Sequence, residues 1–337
     1  MSTLNQSFLS LADVYKREEG GSRKAARIIE MLAETNDIMQ DATTIECNDG
    51  SSHISTQRTG LPEGQFRLIN RGVKTERSQT EQAKDACGML EAYSEVDKRL
   101  VMKAKSPKEF RMSEARSFIH GMGLTMAETV FYGNLSTSPE KFMGLAPRYN
   151  SIEQTDKTKP GYNVIDAGGE DSDNTSIWMV TFGEGLTNFI HPENTKAGFQ
   201  HTDLGEDTLK DANGNSYQGY RDHFTWDLGL AVEDWRYNGR IANIDVSDLL
   251  TAGTGTDTAA DLEMLLIDLV ERRPSDSRGR TVLYMNKQVH TALRKKALRG
   301  SNTQLRIDDF GGKKITMFDT IPLRTCEAIL NTEGQVT

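Results

Sequence analysis

Residues 106–134 read SPKEFRMSEARSFIHGMGLTMAETVFYGN. Ser106-Pro-Lys-Glu109 has the form of a capping box, with proline at the first helical position, where a missing N–H is tolerated. Behind it Phe110, Ala115, Phe118, Ile119, Met122, Met126 and Val130 recur on one face, and Gly133-Asn134 closes the run. The spacing predicts one helix over 107–132, about 40 Å long and well above the mean globular length. A helix of that length is expected to be a strut. Its expected core face is Phe110, Phe118, Ile119, Met122, Met126 and Val130, with the methionines as packing rather than cofactor ligands.

Upstream, the chain loses its core-forming residues. Between Ala42 and Gln82 the large apolar side chains are Ile45, Ile54, Leu61, Phe66, Leu68, Ile69 and Val73. TTIECN and SHISTQR alternate on either side of Asp49-Gly50, a hairpin-type turn signal, and QFRLIN alternates again. Strand chemistry with so little apolar mass cannot close a core of its own. The span is expected to be an extended arm packed on another surface, or else disordered. Residues 89–102 read as a further strand leading into the strut. Residues 7–40 read as helix broken at Gly20-Gly21, with Ser22 as a cap and Ala25, Ile28, Ile29, Leu32 and Ile38 as its stripe.

Downstream, Ile177-Trp-Met-Val-Thr-Phe182 is a buried-type strand, and Phe224, Trp226, Leu228, Leu230 and Val232 alternate as a half-buried one. Asp211-Ala-Asn-Gly214 and Asn238-Gly239 mark turns, and Gly253-Thr-Gly255 marks a loop. Thr258 is expected to cap a helix carrying Leu262, Leu265, Leu266, Leu269 and Val270 that stops before Pro274. A strand at 281–285, a helix at 286–299 and a returning strand within KKITMFDTIPLRTCEAIL (313–330) complete an α/β unit.

With 337 residues, 36% hydrophobic and 26% charged, the chain fits one elaborate or two modest domains, part of it extended or surface-like. No apolar run approaches the roughly 20 residues of a membrane span. The first residues lack the basic-then-apolar pattern of a secretory signal. Cys47, Cys87 and Cys326 are odd in number and far apart in sequence, as expected of thiols in a reducing cytoplasm. Charge is uneven: residues 1–150 hold 20 basic and 20 acidic groups, 151–260 hold 7 and 19 (net −12), and 261–337 hold 13 and 10 (net +3). An acidic middle argues against a nucleic-acid reader. Local signatures of chemistry are missing. There is no GxxxxGK[ST] loop, no three-glycine dinucleotide turn, no G-x-S-x-G elbow and no histidine pair four apart on a helix. Asp203-Leu-Gly-Glu206-Asp207, with Asp211 and Asn213, lacks the alternating ligands and closing glutamate of a calcium loop and is expected to be a solvated loop. Glu233 and Asp234 would point to opposite faces of a strand. No catalytic, cofactor-binding or metal-binding residue is assigned.

The order of parts is similar to that of the tailed-bacteriophage major capsid proteins. Ala127-Glu-Thr-Val-Phe-Tyr-Gly-Asn134, followed by Lys141-Phe-Met-Gly-Leu145, resembles the end of that family's spine helix. Val282-Leu-Tyr-Met-Asn286, with a helix through Leu293, resembles its axial-domain strand and helix. Ile321-Pro-Leu-Arg324 resembles its returning strand, with Thr320 where glycine is usual. SIWMVTFGEG, KAGFQHTDLGE and HFTWDLGLAVEDWRY resemble the short-tailed-phage subgroup. The resemblance implies an α+β phage capsid fold. Its parts would be an N-terminal arm (1–41), an extended β loop (42–85), a peripheral domain (86–150 plus 318–337) around spine helix 107–132, and an axial domain with a β insertion (151–317). It implies a non-enzymatic protein, without cofactor or membrane, that self-assembles into pentamers and hexamers of an icosahedral virion shell. Assembly would take place in the bacterial host's cytoplasm. Implied partners are further copies of the chain, scaffolding, portal and cement proteins, and encapsidated double-stranded DNA held without sequence specificity. Ile54, Arg58, Phe66, Arg67, Leu68 and Arg71 are the subunit-interface candidates. No Lys–Asn crosslinking triad is singled out. Two other readings stay open: a cellular nanocompartment shell of the same fold, and a cytoplasmic hydrolase whose site has no local signature.

Overall fold

The computed structural model describes residues 36–60, 62–170, 172–211, 213–251, 261–276, 278–299, 305–310 and 313–337. Most of the expected N-terminal helix (7–35), Leu61, the 253–255 loop and the Thr258 cap lie outside the described residues. In chain order the elements are α1 (Ile38–Asp41), β1 (Thr44–Glu46), β2 (Ser52–Gly60), β3 (Gln79–Asp97), α2 (Lys98–Lys103), α3 (Pro107–Tyr132), β4 (Val164–Asp166), β5 (Asn174–Phe182), β6 (Thr187–His191), β7 (Gln200–Lys210), β8 (Ser216–Val232), β9 (Gly239–Asp245), α4 (Val246–Thr251), α5 (Leu262–Arg272), β10 (Arg280–Met285), α6 (Lys287–Arg299), β11 (Leu305–Phe310), β12 (Lys313–Phe318) and β13 (Ile321–Thr325). The chain divides into two compact units. One holds Thr35–Gly88, Ala127–Lys196 and Leu228–Thr337, and the other includes Met89–Met126 and Ala197–Asp227.

The first unit is organised on β5, buried at every position as its apolar run predicts. β10 and β9 pair with it antiparallel, and β13 lies parallel to β10, reached through α6 as parallel pairing requires. Leu262, Leu266 and Leu269 of α5 and Val289 and Leu293 of α6 pack on Ile177, Met179, Ile241, Leu283 and Leu323. Each such buried aliphatic contributes about 1.5–3 kcal/mol. The end of β8 departs from the half-buried alternation expected of it. Gly229 and Ala231 are buried as well as Leu228, Leu230 and Val232, so both faces of the strand are covered there. A side chain at Gly229 would bring its Cβ to 2.8 Å from the Ala86 carbonyl oxygen.

In the other unit, the strand expected over 89–102 stops at Asp97. The Asp97 carboxylate accepts the Arg99 N–H at 2.6 Å and starts α2. Val96, Leu100, Val101, Ala104 and Phe110 form a small core there. The strut is α3, with the bounds its periodicity predicts; the Phe110 N–H donates to the Ser106 carbonyl at 3.0 Å. Phe118 is half-buried and stacks on Phe224, centroids 5.4 Å apart. Met122 and Met126 are buried, but Ile119 is 42% exposed and is not core. One residue past Phe118 turns the helix by about 100°, which carries Ile119 off the stripe onto its shoulder. Residues 203–210 form a strand rather than the expected loop. β7 pairs with β8 from Gln200↔Thr225 to Lys210↔Ser216, with a bulge between Asp203 and Gly205, where Gly205 has φ 78°. Asp203 meets Arg111 at 2.7 Å and Glu206 meets Lys98 at 2.7 Å. Exposed charges and a bulge are the features that stop an outer strand from recruiting another. As expected of a turn, the Gly214 N–H donates to the Asp211 carbonyl at 3.0 Å.

Candidate assembly surface

The core-poor span forms an arm, though not by the hairpin expected across Asp49-Gly50. Asp49 and Ser52 close only a tight turn there, with Gly50 at φ 61°, and β1 pairs parallel with β6. β2 pairs antiparallel with β3 instead, from Ser52↔Ala86 to Gly60↔Gln79. The excursion between them, residues 62–78, has no helix or strand and is exposed at every position. QFRLIN, expected to be strand, runs into a turn. The Arg71 N–H donates to the Leu68 carbonyl at 3.2 Å, and Asn70 takes the left-handed φ of 65° that asparagine tolerates. The Glu76 carboxylate straps the two sides of the tip by accepting from the Glu63 N–H (2.8 Å) and Gln65 Nε2 (3.4 Å).

The tip is apolar and cationic at once. Phe66 is fully exposed, Ile69 is 88% and Leu68 71% exposed, and Val73 is exposed too. Residues 61–78 carry Arg67, Arg71, Lys74 and Arg77 against Glu63 and Glu76, a net of +2 (4 − 2). Exposed apolar side chains in such a cluster mark an interaction surface. Covering each of the three largest would contribute about 1.5–3 kcal/mol.

The root of the arm is held firmly. Asp85, 6% exposed on β3, accepts from Arg148 Nη2 at 2.6 Å and from the Val232 N–H at 3.1 Å. Arg148 also donates to the carbonyls of Gly144 and Leu230. Lys84 pairs with Asp49 at 2.7 Å on the outside.

Of the interface candidates, Ile54 is half-buried and Arg58 exposed on β2, while Phe66, Arg67, Leu68 and Arg71 gather at the tip. Ile69 and Val73 belong with them and were not among the candidates; the Asn70-Arg71-Gly72 turn cue was the available signal. Asp85 and Arg148 lie 63 residues apart and leave no local signal. Among the described residues, no group of three or more His, Cys, Asp or Glu is arranged to hold a metal ion. No helix among them is long and apolar enough to cross a membrane. What the geometry offers is an exposed surface both apolar and cationic.

The family model for major capsid protein GP7 matches residues 20–337. A chain in the near-atomic structure of bacteriophage Epsilon15, derived from cryo-EM and modelling, is 39% identical, covers 100% of both chains and superposes with a TM-score of 0.76. The bacteriophage JBD30 capsid (9% identity, 97% of this chain and 96% of that one, TM-score 0.47) is a looser likeness. So is the holo-SrpI encapsulin complex from Synechococcus elongatus PCC 7942 (9% identity, 70% and 96%, TM-score 0.44). No curated protein matches the chain. A family match that spans nearly every residue, joined to 39% identity over the full length of the Epsilon15 chain, leaves one conclusion: the chain belongs to the GP7 family of major capsid proteins.

Proposed function

We propose that the chain builds its shell as pentamers and hexamers through the β2/β3 arm, whose tip lies over a neighbouring subunit and is covered by it. The family makes the protein a structural, non-enzymatic component of a phage virion, self-assembling into an icosahedral shell. The observation that carries the arm's role is the contrast along it: a root fixed by the buried Asp85–Arg148 pair, and a tip with Phe66, Leu68 and Ile69 in solvent. Permanent assemblies bury 2,000–5,000 Å² or more per interface, and an arm supplies such area without enlarging the compact body. In this reading residues 1–41 are the N-terminal arm, 42–85 the extended loop, 86–150 with 318–337 the peripheral domain, and 151–317 the axial domain with its β insertion. Scaffolding, portal and cement proteins are its partners, assembly takes place in the host cytoplasm, and the shell encloses double-stranded DNA without reading its sequence.

The test is sedimentation and electron microscopy of the expressed full chain beside a variant whose residues 62–77 are replaced by a short Gly-Ser linker. The full chain is expected as capsomers or shells far above its 37.6 kDa, and the variant as folded, unclosed material. A full chain that stays monomeric at every concentration would contradict the reading.

A further inference from the structure

The cysteines are widely spaced in sequence, yet the Sγ atoms of Cys47 and Cys87 lie 3.4 Å apart at the root of the arm. Cys47 follows β1 and its N–H donates to the His191 carbonyl at 2.9 Å; Cys87 sits in β3 and its N–H donates to the Ser51 carbonyl at 2.9 Å. Both backbones are therefore already held. The two side chains meet in a small apolar nest with Ile45, Ile190 and Ala231. Their sulfurs need to approach by only about 1.4 Å to reach the ~2.05 Å of a disulfide. Cys326 is different: its buried Sγ donates to Asn36 Oδ1 at 3.0 Å, and burial pushes its thiol up to about 12.

We infer that Cys47 and Cys87 form a dithiol oxidation site that closes to an intrachain disulfide when the protein meets a small-molecule disulfide, locking the root of the arm. The bond would enclose residues 48–86, which contain all of β2 and the tip. Access sets the order of events. Cys87 is half-buried and Cys47 is 5% exposed, so Cys87 meets the reagent first. Its thiolate attacks one sulfur of the small disulfide; that S–S bond breaks, a mixed disulfide forms on Cys87, and the departing thiolate takes up the proton Cys87 lost. Cys47, whose thiol burial holds above its ordinary value, then attacks the Cys87 sulfur and expels the second small thiol, which takes the Cys47 proton. Two cysteine sulfurs are oxidised and two reagent sulfurs reduced. Such reagents act outside a reducing cytoplasm, so the lock would close after release from the cell. Formation of the bond rests on the root geometry alone, and its consequence for shells rests on the arm reading above.

The test is incubation of the full chain with oxidised glutathione, followed by peptide mapping without reduction. The expected product joins the Cys47 and Cys87 peptides with loss of two hydrogens and leaves Cys326 a thiol. Closing a loop of this size should raise the thermal midpoint by about 6 °C, reversibly with dithiothreitol. Cys47→Ser should trap glutathione on Cys87, and Cys87→Ser should show neither adduct nor midpoint gain. Two unreacted thiols, or glutathione on each without a joined peptide, would overturn the inference. Shells that close without residues 62–77 would sink the arm reading and leave this peptide map unchanged, so the two ideas fail separately.

Discussion

Around β5 buried polar side chains find partners within the chain, whereas along residues 62–78 every residue is exposed to solvent. Arg240 and Glu333 show the first case. Their side chains are 4% and 5% exposed and meet at 2.7 Å. Arg240 Nε donates to Ser176 Oγ at 2.9 Å, Nη1 donates to the Tyr149 carbonyl at 3.0 Å, and the guanidinium lies 4.8 Å over the Trp178 ring. The Ser176 and Tyr132 hydroxyls complete the Glu333 carboxylate, and burial with the adjacent charge raises the Tyr132 pKa, so its hydroxyl stays a donor. A buried charge survives only when satisfied in this way. The tip is the reverse: its apolar groups face water and its cations outnumber its acids. One region is finished within a single chain. The other leaves Phe66, Leu68 and Ile69 in solvent beside a net positive charge, and the proposed assembly role rests on that contrast.

Substitutions can break that contrast at several strengths. The largest effect is expected from Arg240→Met, which strands a buried carboxylate. Unassembled chain should lose about 3–5 kcal/mol in denaturant melts, and adding Glu333→Leu should restore part of it. Met122→Asp comes next, placing a carboxylate on the buried face of α3 at a cost of about 3 kcal/mol. Asp85→Ala should cost about 2 kcal/mol by leaving Arg148 and the Val232 N–H without their acceptor, and should also loosen the arm, read as faster hydrogen exchange in β2. Lys108→Ala and Ile119→Thr, both on exposed positions of α3, should each stay within about 0.5 kcal/mol. Equal effects of Met122→Asp and Ile119→Thr would mean the helix faces are wrongly assigned. The smallest signal is expected with DNA. Unassembled chain, net −9 overall, should give no measurable duplex complex by anisotropy at 200 mM salt, since even a binder making 6–10 phosphate contacts loses about 10³–10⁵ in affinity between 50 and 200 mM.

What the sequence disclosed was local. α3 was legible because its cap, stripe and terminator lie within one stretch, and β5 because six consecutive residues suit a strand buried on both faces. Ile119 was misplaced because periodicity marks a stripe's centre better than its edges. β7 was hidden by its acids: Asp203, Glu206 and Asp207 resemble a loop until Arg111, Lys98 and Arg221 are set against them. The pairs that fasten the molecule span 93 residues (Arg240–Glu333), 63 (Arg148–Asp85) and 40 (Cys47–Cys87), and no window along the chain contains them. The exposed excursion at 62–78 was legible through the apolar residues that the span lacks. The strand partner of β2 and the turn at Asn70 were not, because pairing is decided by β3 and the turn by a single left-handed residue.

The central claim is that the tip contributes to assembly and nothing to the fold of the single chain. Replacing Phe66, Leu68 and Ile69 together by aspartate tests it most directly, with thermal melts of unassembled protein and electron microscopy of assembly reactions run side by side. The expected result is a midpoint unchanged to within about 1 °C, since three exposed side chains are exchanged for three others, together with loss of closed shells. Shells that close as before, or a midpoint that falls by several degrees, would contradict it.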